Sequence, residues 1–294
     1  MRTRLASIAA ALLAVTVIAT PAGAITYNAQ KDFVHDYVPL LVFYTDPDPN
    51  SVPPGDPFSH RCSGTLISPT LIVTAGHCTE GVESGRAYFQ QAVGPNYDPN
   101  AFGGWGGDPT TGYPYEGGHT FSHTWNFGEI FVGFPSAKDT KDVGVVELDE
   151  PYTPPSGLYG ILTEAGAIDD AVAAAGASGK QTVRFITSGY GLQDQDPVPV
   201  PGLRERLMAW SYLINDSNPL TKYQLMTANN PSKGKGGSCN GDSGGPVFFE
   251  GTRIIAAVVS FGFNPQCKGQ DYSYRLDRQP VIDWILDPDR PDRA

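Results

Sequence analysis

Apolar runs that stop before they reach helical length constrain the fold of this 294-residue chain most. They fall at residues 38–44, 64–67, 71–74, 143–148, 182–187, 207–214, 247–249 and 254–261, each fenced by turn residues drawn from 34 glycines and 26 prolines. Many short strands parted by turns predict an all-β sandwich or barrel. A chain of this length suits one large β unit or two smaller ones and can bury most of its apolar surface. Residues 94–118, dominated by Gly, Pro, Asn and Tyr, have no period and predict a long surface loop. Residues 193–202 form a second loose stretch. A terminal helix is predicted over 279–286, with Pro280 in its first turn and Val281, Ile282, Trp284 and Ile285 on one face. Asp287-Pro288 stops it, and 287–294 reads as a charged, frayed tail. The Ala-rich residues 165–177 predict a second short helix.

The first 24 residues read as a secretory signal peptide: Arg2 and Arg4, an uncharged stretch over 5–20, then Pro21-Ala22-Gly23-Ala24. That stretch is too short to span a bilayer, and Pro21 interrupts it. The expectation is a secreted protein over residues 25–286 with no membrane attachment once the peptide is cut. A formal charge of −11 argues against nucleic acid or an anionic membrane as partner. Four cysteines, Cys62, Cys78, Cys239 and Cys267, predict disulfides in an exported chain, with three pairings open. No C-x-x-C pair supports zinc.

Gly241-Asp242-Ser243-Gly244-Gly245-Pro246 carries the strongest chemical signal. Glycines beside a serine allow a tight turn and close approach of a substrate carbonyl, and two amides there can face a developing oxyanion. The same residues match the G-x-S-x-G elbow of α/β-hydrolases, in which the base follows the nucleophile. The five histidines stand at 35, 60, 77, 119 and 123, all before Ser243, which excludes that order. His77 has the most telling setting, at the end of Leu71-Ile72-Val73-Thr74-Ala75-Gly76-His77-Cys78. An apolar strand there runs into small residues and a cysteine able to staple the backbone beside the imidazole.

Three blocks together, Thr74-Ala75-Gly76-His77-Cys78, Asp142-Val143-Gly144-Val145-Val146-Glu147-Leu148 and Gly241–Pro246, resemble the catalytic blocks of the trypsin/chymotrypsin family, in that family's order. Weaker matches at Ser63-Gly64-Thr65-Leu66-Ile67, Gly189-Tyr190-Gly191, Ser260-Phe261-Gly262 and Trp284-Ile285 extend the resemblance over nearly all of the chain after residue 24. It implies two six-stranded antiparallel β-barrels, about 25–150 and 151–278, with a C-terminal helix and the active site between the barrels. It implies a serine endopeptidase in which Ser243 attacks, His77 is the base and Asp142 orients it. The Gly241 and Ser243 amides would form the oxyanion hole, and Ser260-Phe261-Gly262 would pair with extended peptide. The disulfides implied are Cys62–Cys78 and Cys239–Cys267. Polypeptide substrates are expected, with protein inhibitors as further partners, and a monomer needing no cofactor or metal.

Two departures from the family pattern matter. The residue six before the nucleophile, an aspartate in trypsin-like members, is Gly237. Either Asp271 replaces it from the opposite pocket wall and accepts Lys or Arg, or the pocket is neutral and takes apolar side chains. The family's freed N-terminus pairs with the aspartate preceding the nucleophile, here Asp242. Cleavage after Ala24 would supply Ile25 as that terminus. His119 and His123 read as exposed histidines of a glycine-rich loop, since no third metal ligand lies near. Asp46–Asn50 lacks the glycine and closing glutamate of a calcium loop. Two rivals remain: a non-catalytic binding relative, and an esterase using the same residues.

Overall fold

The computed structural model describes residues 25–44, 58–93, 117–128, 140–192, 204–216, 223–230 and 232–292. The leader, the aspartate-proline stretch at 46–50, residues 94–116 and residues 193–202 lie outside these. The strands are β1 (Gln30–Lys31), β2 (Leu40–Tyr44), β3 (Phe58–Ser63), β4 (Thr65–Leu66), β5 (Leu71–Thr74), β6 (Ser84–Tyr88), β7 (Gly118–Asn126) and β8 (Gly144–Leu148), then β9 (Ile161–Leu162), β10 (Arg184–Gly189), β11 (Leu207–Asn215), β12 (Gln224–Asn229), β13 (Pro246–Phe249), β14 (Ile254–Phe261) and β15 (Gly269–Arg275). Three α-helices join them: α1 (Gly76–Thr79), α2 (Ala167–Ala175) and α3 (Gln279–Leu286).

Two sheets follow, antiparallel but for the short β9, which runs parallel to β14. The first runs β3-β2-β6-β7-β8-β5-β4. Its two end strands are consecutive pieces of chain parted by Gly64 alone, so the sheet curls round on itself. The second runs β11-β10-β13-β14-β15-β12, and β12 pairs back to β11, closing a six-stranded barrel. The fold is therefore all-β with two curled sheets, as the resemblance implies. Strands β2, β5 and β14 are almost wholly apolar because both faces are buried. Leu41, Ile72, Val145, Phe248, Val258 and Trp284 belong to one apolar cluster that spans the two sheets and α3. Removing such area from water at roughly 25 cal/mol per Å² is what holds the halves together.

Helix α3 starts and ends where the sequence predicts, and α2 lies within the Ala-rich segment. Two expectations need correction. His119 and His123 sit on β7 rather than in a loop, and His119 packs against the stacked rings of Phe89 and Tyr152. The tail is tied down as far as Asp292: Trp284 Nε1 donates to the Pro291 carbonyl (2.8 Å), and Asp292 Oδ1 accepts from the Asn126 amide (2.8 Å). Arg290 lies 5.0 Å over the Trp125 ring. These hydrogen bonds and a cation–π contact outweigh the solvation that a charged tail suggests. No helix among the described residues is long and apolar enough to cross a membrane.

Candidate active site

Strand β5 delivers His77 at the start of α1, and the Cys62–Cys78 disulfide fixes the adjoining backbone to β3. Asp142 enters from the segment that leads into β8, which pairs with β5. Their side chains meet: His77 Nδ1 lies 2.9 Å from Oδ2 of Asp142, and the His77 amide donates to Oδ1 (2.8 Å). Ser260 Oγ, from β14, donates a further hydrogen bond to Asp142 Oδ2. With Asp142 fully buried, these three donors decide its charge state. Burial alone pushes the carboxyl up, but the imidazole and the Ser260 bond outweigh it and hold it below the ordinary value. Burial likewise disfavours imidazolium, and the facing carboxylate reverses that, raising His77. A proton on Nδ1 faces the carboxylate, so Nε2 keeps its lone pair. The side chain is 29% exposed and lines the cavity described next.

That cavity, of about 360 Å³, is lined by His77, Ser243 and Asp271 together. Ser260, Phe261 and Gly262 also border it. Around Ser243 the chain turns tightly. Gly241 has φ +98°, which favours glycine, and a side chain there would press on Gly191 and on the Arg61 guanidinium. The Asp242, Gly244 and Gly245 amides bond to Cys239, Val259 and Asp242 carbonyls. The Gly241 and Ser243 amides have no acceptor among the described residues. They are thus available to an oxygen from outside the protein.

Asp271 lies in β15, where Oδ2 accepts from the Ser238 amide (2.7 Å) and Oδ1 from Asn229 Nδ2 (3.0 Å). Burial raises its carboxyl to about 6, against the lowering effect of those bonds. Gly237 packs against it: a Cβ at 237 would come within 2.4 Å of Asp271 Oδ2. Ser238 and Asn229, which position Asp271, are not apparent from the sequence, because nothing in it links residues 229, 238 and 271. The Cys239–Cys267 disulfide closes this side of the cavity.

Asp242 is buried and accepts from the Gly191 (2.7 Å) and Cys239 (2.9 Å) amides. Burial is the main reason that its carboxyl rises to about 7. Ile25 is buried against Leu207 and Ala209, and no described contact joins it to Asp242. The next residue, Thr26, exchanges backbone hydrogen bonds with Gly237 (2.9 and 3.1 Å), two residues before Cys239. A metal has no foothold at His77. Its neighbours Cys62 and Cys78 come within 4.8 Å, but both sulfurs are spent in a disulfide.

Residues 50–285 match the profile of the family described as Trypsin. The chain belongs to the trypsin family. It is thus a serine endopeptidase by family. Human chymotrypsin-like elastase family member 3B is 27% identical over 78% of this chain and 78% of its own length. Brachyurin of Leptuca pugilator is 25% identical over 76% of the chain and 85% of its length. Among solved structures, one described as HL collagenase superposes with a TM-score of 0.58 at 16% identity, covering 90% of this chain and 95% of that one. Human heparin binding protein does so at 0.55, covering 91% and 100%. At such identities these structures speak for the fold alone.

Proposed function

We propose that this trypsin-family chain is a secreted endopeptidase that cleaves through an acyl-enzyme on Ser243 and prefers Lys or Arg before the cleaved bond. The observation that carries the reading is one cavity whose lining includes His77, paired to a buried Asp142, together with Ser243 and Asp271. His77 Nε2 takes the Ser243 proton as the hydroxyl oxygen attacks the carbonyl carbon. The oxyanion meets the Gly241 and Ser243 amides. The amine leaves with the proton from His77, and water repeats the sequence to release the acid. Asp271 is a buried carboxylate whose described hydrogen bonds come from the neutral Asn229 and Ser238, and such a group favours a cationic side chain.

Activation follows the same electrostatics. Asp242 is buried, accepts from two amides and feels the Arg61 charge, yet burial still dominates and keeps its carboxyl raised. Removal of residues 1–24 frees the Ile25 amine, beside Thr26, which is already paired to Gly237. We expect that amine to neutralise Asp242. The enzyme acts as a monomer on extended polypeptides, and protein inhibitors that mimic them would occupy the same groove.

Peptide substrates differing only in the residue before the cleaved bond test this. Fastest turnover with Lys or Arg is expected. A preference for Phe or Leu would end the role given to Asp271 while leaving the serine peptidase intact.

A further inference from the structure

A second cavity, of about 310 Å³, opens between α3 and the ends of β7 and β15, away from Ser243. Two aromatic pairs wall it. Phe127 and Trp284 have ring centroids 5.2 Å apart, and Tyr223 and Tyr274 have theirs 6.3 Å apart. Each pair carries a cation. Lys141 Nζ stands 5.3 Å from the Phe127 centroid, and Arg278 Cζ lies 4.1 Å over the Tyr223 ring. Trp284 spends its only donor on Pro291, so it offers the cavity an apolar face.

The chemistry of this lining is selective. The chain has 31 acidic and 20 basic residues, yet no described residue of this wall is a carboxylate and two are cations. A guanidinium stacked by its face on a ring still presents its edge donors, a fork matched to a carboxylate. Aromatic walls below take an apolar body, and the volume suits a small ligand.

We propose that this cavity binds a small amphipathic carboxylate, its acid group held by Arg278 and Lys141 and its apolar body among the four aromatic rings. The site is separate from the substrate cavity and does not depend on how Ser243 acts. Two of its walls adjoin the relay, since Lys141 precedes Asp142 and the Asp142 charge is felt at Tyr274.

Calorimetry of the full chain with 4-benzoylbenzoate, and with the neutral 4-benzoylbenzyl alcohol, tests it. Saturable binding of one carboxylate per chain is expected, about tenfold or more tighter than the alcohol. Arg278→Gln with Lys141→Gln should erase that advantage while far-UV circular dichroism stays unchanged. Irradiating the bound benzophenone should label peptides holding Phe127, Tyr223 or Trp284. Absence of saturable binding, equal affinity for the alcohol, or labelling confined to residues 259–271 would overturn the proposal. The carboxylate–alcohol comparison and the labelling use the unmodified chain, so a misfolded variant leaves both decisive.

Discussion

Gly237 and Asp271 share one space: a Cβ at position 237 would stand 2.4 Å from Oδ2 of Asp271, so the carboxylate occupies the room that a side chain at 237 would need. The buried carboxylate of this cavity therefore sits on β15 rather than on the segment before Ser243.

Asp271→Asn is expected to lower kcat/KM for Lys and Arg substrates by about a hundredfold, from the loss of a buried charge partner. Turnover of substrates with Leu or Phe before the cleaved bond should change little. Matched peptide assays check both. Equal losses on basic and apolar substrates would assign Asp271 a structural role instead.

pH separates the two groups that titrate in the cavity. Asp271, raised to about 6, must be ionised to hold a cation, and His77, also raised, must be neutral to accept a proton. Both losses appear on acidification. The ratio of Lys to Leu turnover isolates Asp271, and it should fall as pH drops through about 6. A ratio flat from neutral pH to pH 5 would contradict this.

Stability should carry opposite signatures from two buried aspartates. Asp32 accepts from Ser188 Oγ (2.6 Å) and pairs with His35 (2.8 Å). Burial alone would raise its carboxyl, but those partners bring it down to about 2 from 3.8. A lowered folded value stabilises above the unfolded one, so this contribution is full above about pH 4 and disappears as pH falls towards 2. Asp32→Asn is expected to cost about 2 kcal/mol at neutral pH and little near the acid end, by urea unfolding. Asp271, with a raised folded value, destabilises as pH climbs from 3.8 to about 6. The stability of Asp271→Asn relative to the parent should therefore improve over that window.

Much of this was legible in the residues, and the illegible parts share a cause. Strands β5 and β14 begin and end where their apolar runs do, since both faces are buried. Strand β15, Gly269-Gln-Asp-Tyr-Ser-Tyr-Arg275, has no such run because its buried positions include the polar Asp271, Ser273 and Arg275, and the partners of Asp271, Asn229 and Ser238, lie far off in sequence. Strand β7 fails likewise, with His119 and His123 flanking a single buried Phe121. Local glycine motifs announced the turn at Ser243. The bond from Ser260 to Asp142 spans 118 positions and leaves no local trace.

Ser260→Ala removes one of the three donors to Asp142. The expected loss in kcat is about tenfold, from one hydrogen bond to a charged group, with KM nearly unchanged. A rise in KM alone would instead place Ser260 in substrate binding only.

The most direct measurement of the central claim is intact-mass and peptide-mass analysis after reaction with a fluorophosphonate, run beside Ser243→Ala. One adduct per chain on Ser243, lost activity in step with labelling, and neither adduct nor hydrolysis in the variant are the predicted results. Hydrolysis that persists in Ser243→Ala, or an adduct on another serine, would contradict the account.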